Sequence, residues 1–114
     1  MEHVLLFKNP ELQPGLNVTV RNGEKWMQAN PLIDTVSIRD TANDQVEIAK
    51  GYVVGTFHME ADNIPNQILQ YEHDASCRTR EGLKVAMDRA YPDGWGPYVT
   101  IVLFTVLQEE DGKE

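Results

Sequence analysis

"TREGLKVAMDRAYPDGWGPYVTIVLFTVL", residues 79–107, sets a helix and a strand one after the other, and its reading decides the fold. Thr79 is a good helix cap, and Leu83, Ala86, Met87 and Ala90 then follow i, i+3, i+4, i+7, one apolar helix face. Pro92 ends that helix. The run "YVTIVLFTVL" (98–107) is almost continuously apolar, as a strand covered on both faces would be. Upstream, "IPNQILQYE" (64–72) predicts a short helix capped by Asp62 or Asn63, with Ile64, Ile68 and Tyr71 on one face.

The first half reads as strands. "GLNVTVRNG" (15–23) alternates Leu16, Val18 and Val20 with Asn17, Thr19 and Arg21, and Asn22-Gly23 closes it as a turn. "TVSIRD" (35–40) alternates in the same way, and "ANDQ" (42–45) supplies a turn. "VEIAKGYVVGTFHME" (46–60) is rich in β-branched and aromatic residues, and Gly51 and Gly55 within it predict a break, a bulge or close backbone approach. Strands, two helices and a final strand make an α+β domain, expected as a curled sheet or small β-barrel flanked by helices.

With 114 residues the chain suits one domain, expected over 1–108, followed by a solvated acidic tail, "EEDGKE" (109–114). No apolar run approaches the roughly 20 residues of a membrane span. "MEHVLLFKNPE" lacks the basic start and cleavage site of a signal peptide. A single cysteine forms no internal disulfide, so a cytoplasmic setting is the expectation. The net charge of −8, from 18 acidic against 10 basic residues, argues against a broad nucleic-acid surface but leaves room for a small basic cleft. Arg78, Arg80, Lys84 and Arg89 fall within twelve residues and read as either a solvated helix face or such a patch.

The run "YEHDASCRTREG" (71–82) concentrates the reactive side chains. His73 and Cys77 stand four apart, with Asp74 and His58 as further candidate ligands, yet no CxxC or HExxH spacing occurs, so no metal site is expected. Cys77 beside His73 and Arg78 could form a thiolate nucleophile, but a lone cysteine beside a helix is more often a small buried hydrophobe. For Glu72 and Asp74 the plain alternative is solvation, or an ion pair with Arg78 or Arg80. On the strand at 15–21, Asn17, Thr19 and Arg21 share one face, and a hydroxyl beside a guanidinium suits a carbonyl or phosphate oxygen. The alternative there is an ordinary solvent-facing strand surface.

"GLNVTVR", "REGLKVAMDRAYP" and "VTIVLFTV", in that order, resemble the ASCH domain, a relative of the PUA RNA-binding fold. The resemblance runs from about Gly15 to Val106 and is strongest where Leu83, Tyr91, Pro92, Val99 and Phe104 fall in the family's order. It implies a small β-barrel with flanking helices and a cleft for RNA or a nucleotide. One branch of the family is a small bacterial amidohydrolase of acetylcytidine. That enzyme uses a lysine and a threonine from the first motif and a glutamate from the segment before the second helix. On this resemblance Thr19 and Arg21 match the motif, whereas Leu16 or Asn17 stands where the lysine is expected. The glutamate's position falls on Ser76, with Asp74 and Glu72 as substitutes if the connector bends, and Lys25 is the nearby candidate for the lysine.

The expected ligand-binding residues are therefore Asn17, Thr19, Arg21, Lys25, His73, Arg78 and Arg80. Thr19, Glu72 and Asp74 would be catalytic if the protein is an enzyme. The partner expected is RNA or a nucleotide- or nucleoside-sized ligand, with no cofactor, no metal and no membrane. The alternatives are an amidohydrolase of a modified pyrimidine nucleoside such as acetylcytidine, and an acidic protein-interaction domain.

Overall fold

A computed structural model describes residues 1–8, 10–72 and 74–107. The tail expected at 109–114 and the candidate ligand residue His73 lie outside the described residues. The strands are β1 (Glu2–Phe7), β2 (Gly15–Asn22), β3 (Thr35–Asp40), β4 (Val46–Glu60) and β5 (Tyr98–Leu107), with α1 (Asn66–Leu69) and α2 (Arg80–Ala90) between β4 and β5. They form one five-stranded sheet in the order β1-β3-β4-β5-β2. β1 runs parallel to β3, and every other pair is antiparallel.

The expected β-barrel is corrected here to an open, curled sheet. Among the described residues β1 and β2 are its two edges and do not pair. A side chain rather than a ladder spans the gap: Arg21 Nη2 of β2 donates to the Leu6 carbonyl of β1 at 3.0 Å. β1 itself falls on the apolar stretch "VLLF", for which no strand was expected.

β5 is central, and both its faces are covered, as its apolar run requires. Val99 and Ile101 join Val18, Val20, Ile64, Leu69, Leu83 and Met87 under the helices. Phe104, on the opposite face, packs with Leu5, Phe7, Val36, Ile38 and Val53 inside the curl. Each large apolar side chain so buried contributes about 1.5–3 kcal/mol. β4 keeps pairing along its whole length, with a register shift between Val53 and Gly55. Gly51 stays in register, paired with Val106, and a Cβ there would overlap the Thr105 carbonyl oxygen, the close backbone approach expected of it.

The helices differ in how well their sequence specifies them. α2 begins as expected, with the Thr79 hydroxyl accepting from the Gly82 N–H at 3.1 Å, and its buried residues are Leu83 and Met87. α1 is only four residues, and its N-cap is Pro65. Asp62 and Asn63, expected as caps, instead belong to a 3-10 turn, Ala61–Asn63. Pro65 explains the shift: the residue before a proline is held extended, so Ile64 (ψ 122) cannot enter the helix.

Candidate functional site

β2 places Asn17, Thr19 and Arg21 on one face, as the alternation requires, but that face is neither free nor solvent-facing. It pairs across to Phe104, Val102 and Thr100 of β5 and lies inside the curl. Asn17 is 0% exposed and Thr19 2%. The Asn17 side chain brackets the preceding loop, accepting from the Gln13 N–H at 2.9 Å and donating to the Gln13 carbonyl at 2.8 Å. It does not line the cleft described next.

Thr19 and Arg21 do reach a cleft. Arg21 Nε donates to Thr19 Oγ1 at 3.1 Å, and its guanidinium carbon lies 4.8 Å from the centre of the Phe7 ring. Burial lowers its pKa from the ordinary value, while Tyr91 and Glu72 act in the opposite direction by favouring the charge. An arginine has enough margin to stay cationic through such a shift. Held by Thr19, Leu6 and Phe7, the fork is fixed before any ligand arrives.

The connector after α1 supplies the facing wall. Its backbone runs briefly alongside β2: the Val18 N–H donates to the Tyr71 carbonyl at 2.8 Å, and Val18 and Glu72 form an isolated parallel bridge. Arg78 Nε donates to the Glu72 carbonyl at 3.1 Å. Pinned on both sides, Glu72 turns its side chain inward to 1% exposure, which sets aside the plain alternative of a solvated carboxylate. A buried carboxyl group needs a compensating partner, and the Arg21 charge is felt there. Asp74 caps the 3-10 turn Ala75–Cys77, its Oδ1 accepting from the Ser76 N–H at 2.9 Å and the Ser76 hydroxyl at 2.8 Å.

Between these walls and α2 lies a cavity of about 200 Å³, bounded by Thr19, Arg21, Glu72, Asp74, Met87 and Tyr91, among others. Three candidate catalytic residues, Thr19, Glu72 and Asp74, thus meet there with Arg21. Cys77 also lines the cavity. Desolvation pushes its thiol up to about 12, and the Glu72 and Asp74 charges push the same way. At neutral pH it is a thiol, unsuited to nucleophilic attack. No three His, Cys, Asp or Glu side chains among the described residues come together as a metal site.

The remaining expected site residues lie elsewhere. Lys25 sits in the 3-10 turn Lys25–Gln28 and does not line this cavity. Arg78 and Arg80 line a separate hollow beside the start of α2. Both Nε and Nη2 of Arg80 donate to the Ile64 carbonyl, so the charge ties α2 to the α1 segment. Neither lines the cavity at Arg21, and both also brace backbone carbonyls. Lys8, just past β1, does line the cavity, and nothing in its sequence context marked it. Tyr91 was visible only as a landmark of the resemblance; its hydroxyl accepts from the Asn22 N–H at 3.2 Å and docks the end of α2 onto β2.

No family model matches this chain, and no curated protein matches it in sequence. Among solved structures it is similar to an ASCH domain from Lactobacillus crispatus JV V101, with a TM-score of 0.55 and 11% identity over 79% of this chain and 63% of that one. It is also similar to a DUF984 protein from Enterococcus faecalis V583, with a TM-score of 0.53 and 13% identity over 80% of this chain and 60% of that one. The chain thus spans less than two-thirds of the length of either, and at these identities the likeness concerns the fold. The order of Leu83, Tyr91, Pro92, Val99 and Phe104 resembled that family in sequence, and the architecture agrees: this chain has an ASCH-like fold.

Proposed function

We propose that the protein is an ASCH-like module that binds RNA, or a nucleotide- or nucleoside-sized ligand, in the cleft between the curled sheet and α2. One observation carries this: Arg21, Thr19 and the buried Glu72 converge on a single open cavity with apolar sides. A few convergent polar groups in an otherwise apolar hollow are the usual make-up of a small-ligand site. A nucleobase offers what these groups recognise, with ring carbonyls for the Arg21 fork, an exocyclic amine for the Glu72 carboxyl, and flat faces for Met87 and Tyr91. The net charge of −8 fits a ligand held by local donors better than a long polyanion. A cytoplasmic setting accords with this ligand class. The test is a thermal-shift panel of nucleosides and nucleotides on the wild type and Arg21→Ala. Stabilisation of the wild type that is lost in the variant supports the proposal, and no response to any member removes it.

The second reading is hydrolysis of a modified pyrimidine nucleoside such as acetylcytidine, favoured by Thr19 and Glu72 sharing the cavity. Thr19 would orient or activate the attacking group, Glu72 or Asp74 would move protons, and Arg21 would hold the carbonyl. Lys25 does not line the cleft, so in this reading Glu72 or Asp74 would have to carry the proton in place of the absent motif lysine. Chromatographic assay of acetylcytidine decides: deacetylation abolished by Glu72→Gln would establish the enzyme.

A further inference from the structure

The cavity at Arg21 and Glu72 does not end at its own mouth. Lys8, Asp74, Ala86 and Ala90 also bound a second hollow of about 680 Å³, which runs along the outer side of α2 past Ser76 and Arg89. The inner chamber, at about 200 Å³, is smaller than the roughly 300–1,000 Å³ of sites that enclose a whole small-molecule ligand. The outer one falls within that range. A ligand anchored by its base in the inner chamber must therefore continue outward.

Two cations wait on that path. Lys8 and Arg89 are exposed, and neither has an ion-pair or hydrogen-bond partner among the described residues. Other cations nearby are committed: Arg78 and Arg80 to backbone carbonyls, Lys84 to Asp62 at 2.9 Å. The anionic groups are also engaged. Asp74, the carboxylate within the outer chamber, accepts from Ser76, and Asp88 accepts from Trp95 Nε1 at 2.9 Å. Arg89, in the last turn of α2, also offsets the negative end of the helix dipole, which would otherwise repel an anion.

We infer that the outer chamber is a phosphate subsite, in which Lys8 and Arg89 hold the phosphate of a nucleotide, or of the adjoining linkage in RNA, whose base occupies the inner chamber. This rests on the base-binding reading above. Arg89 lines only the outer chamber, whereas Lys8 stands at the junction of the two. The two subsites therefore separate by mutation.

The test is calorimetric titration of the four ribonucleosides, their 5′- and 3′-monophosphates and inorganic phosphate, at low and high salt. A monophosphate should bind about three- to tenfold tighter than its nucleoside, the size expected of two exposed ion pairs, and the gain should shrink with salt. Whether the 5′ or the 3′ series carries the gain tells which sugar position directs its phosphate into the outer chamber, and comparing the favoured monophosphate with a dinucleotide tells a free nucleotide from an RNA linkage. Arg89→Glu should abolish the gain while nucleoside affinity stays unchanged and the melting temperature falls only slightly, from the lost helix-end charge, and Lys8→Ala/Arg89→Ala should do likewise for the gain. Nucleoside binding with no phosphate gain, or a gain that survives Arg89→Glu, overturns the phosphate subsite and leaves the inner-chamber reading standing. Phosphate-dependent binding unaffected by Arg21→Ala overturns the inner reading instead, and no binding by any probe overturns both.

Discussion

Arg21 Nη2 lies 3.0 Å from the carbonyl oxygen of Leu6, and through this hydrogen bond the two edge strands of the sheet are tied without pairing. The same guanidinium reaches Thr19 and faces the cavity. On the proposed function, binding and fold share this residue, and Arg21→Ala should cost about 1–3 kcal/mol of stability along with ligand binding. Arg21→Lys should recover neither in full, because an ammonium lacks the planar fork. Chemical denaturation of the three proteins measures the stability part.

Glu72 supports the site differently. Its backbone is braced by Arg78, so replacing the carboxyl by an amide of equal size should leave the fold nearly intact. Glu72→Gln should change stability by less than about 1 kcal/mol yet weaken ligand response at the cleft, whereas Glu72→Ala should cost more by opening a void. Melting curves with and without ligand separate the two effects.

Gly82 lines the outer chamber and lies where the 3-10 turn at Ala75–Cys77 crosses the start of α2. A Cβ there would overlap the Ser76 carbonyl oxygen, a backbone atom that cannot swing aside. Gly82→Ala should therefore destabilise by about 2 kcal/mol or more, although alanine is the better helix former. A gain in stability on urea denaturation would show that the connector is free to move.

Asp34 provides a pH dependence of known sign. The Asn30 N–H at 3.0 Å, and then His3 Nε2 at 2.7 Å, hold its carboxyl well below the ordinary range. A carboxyl whose pKa is lower folded than unfolded stabilises the fold above the unfolded value, near 3.9, and the contribution fades as pH falls below it. Acid should thus destabilise the wild type more than Asp34→Asn. Thermal melts of both at pH 7 and pH 3 check the difference.

Cys77, buried with its thiol raised to about 12, should react with a thiol-directed disulfide reagent far more slowly at pH 8 than a free cysteine does. In denaturant the rate should become that of the free amino acid.

β2 to β5 and α2 were legible because each carries a local pattern, whereas β1 was not. β3 spans the expected residues 35–40 and β5 the expected 98–107, since alternation and a doubly covered apolar run depend on neighbours in sequence. The curl was not legible. Whether the Asn17–Thr19–Arg21 face meets solvent or Phe7 depends on β1 returning beside β3, a contact more than 30 residues away in sequence. The cleft was half legible for the same reason. "YEHDAS" advertised its carboxylates, but only the bridge between Val18 and Glu72 turns one of them inward. For Arg78 and Arg80 the sequence shows charge and hides the backbone carbonyls that engage it.

The most direct test of the cleft is amide NMR on uniformly ¹⁵N-labelled protein titrated with a ribonucleoside 5′-monophosphate. Shift changes should concentrate at Thr19, Arg21, Glu72, Ala86 and Arg89 and leave Lys25 and Arg80 still. Changes centred on the hollow at Arg78 and Arg80, or spread along the sheet with the cleft silent, would contradict the account.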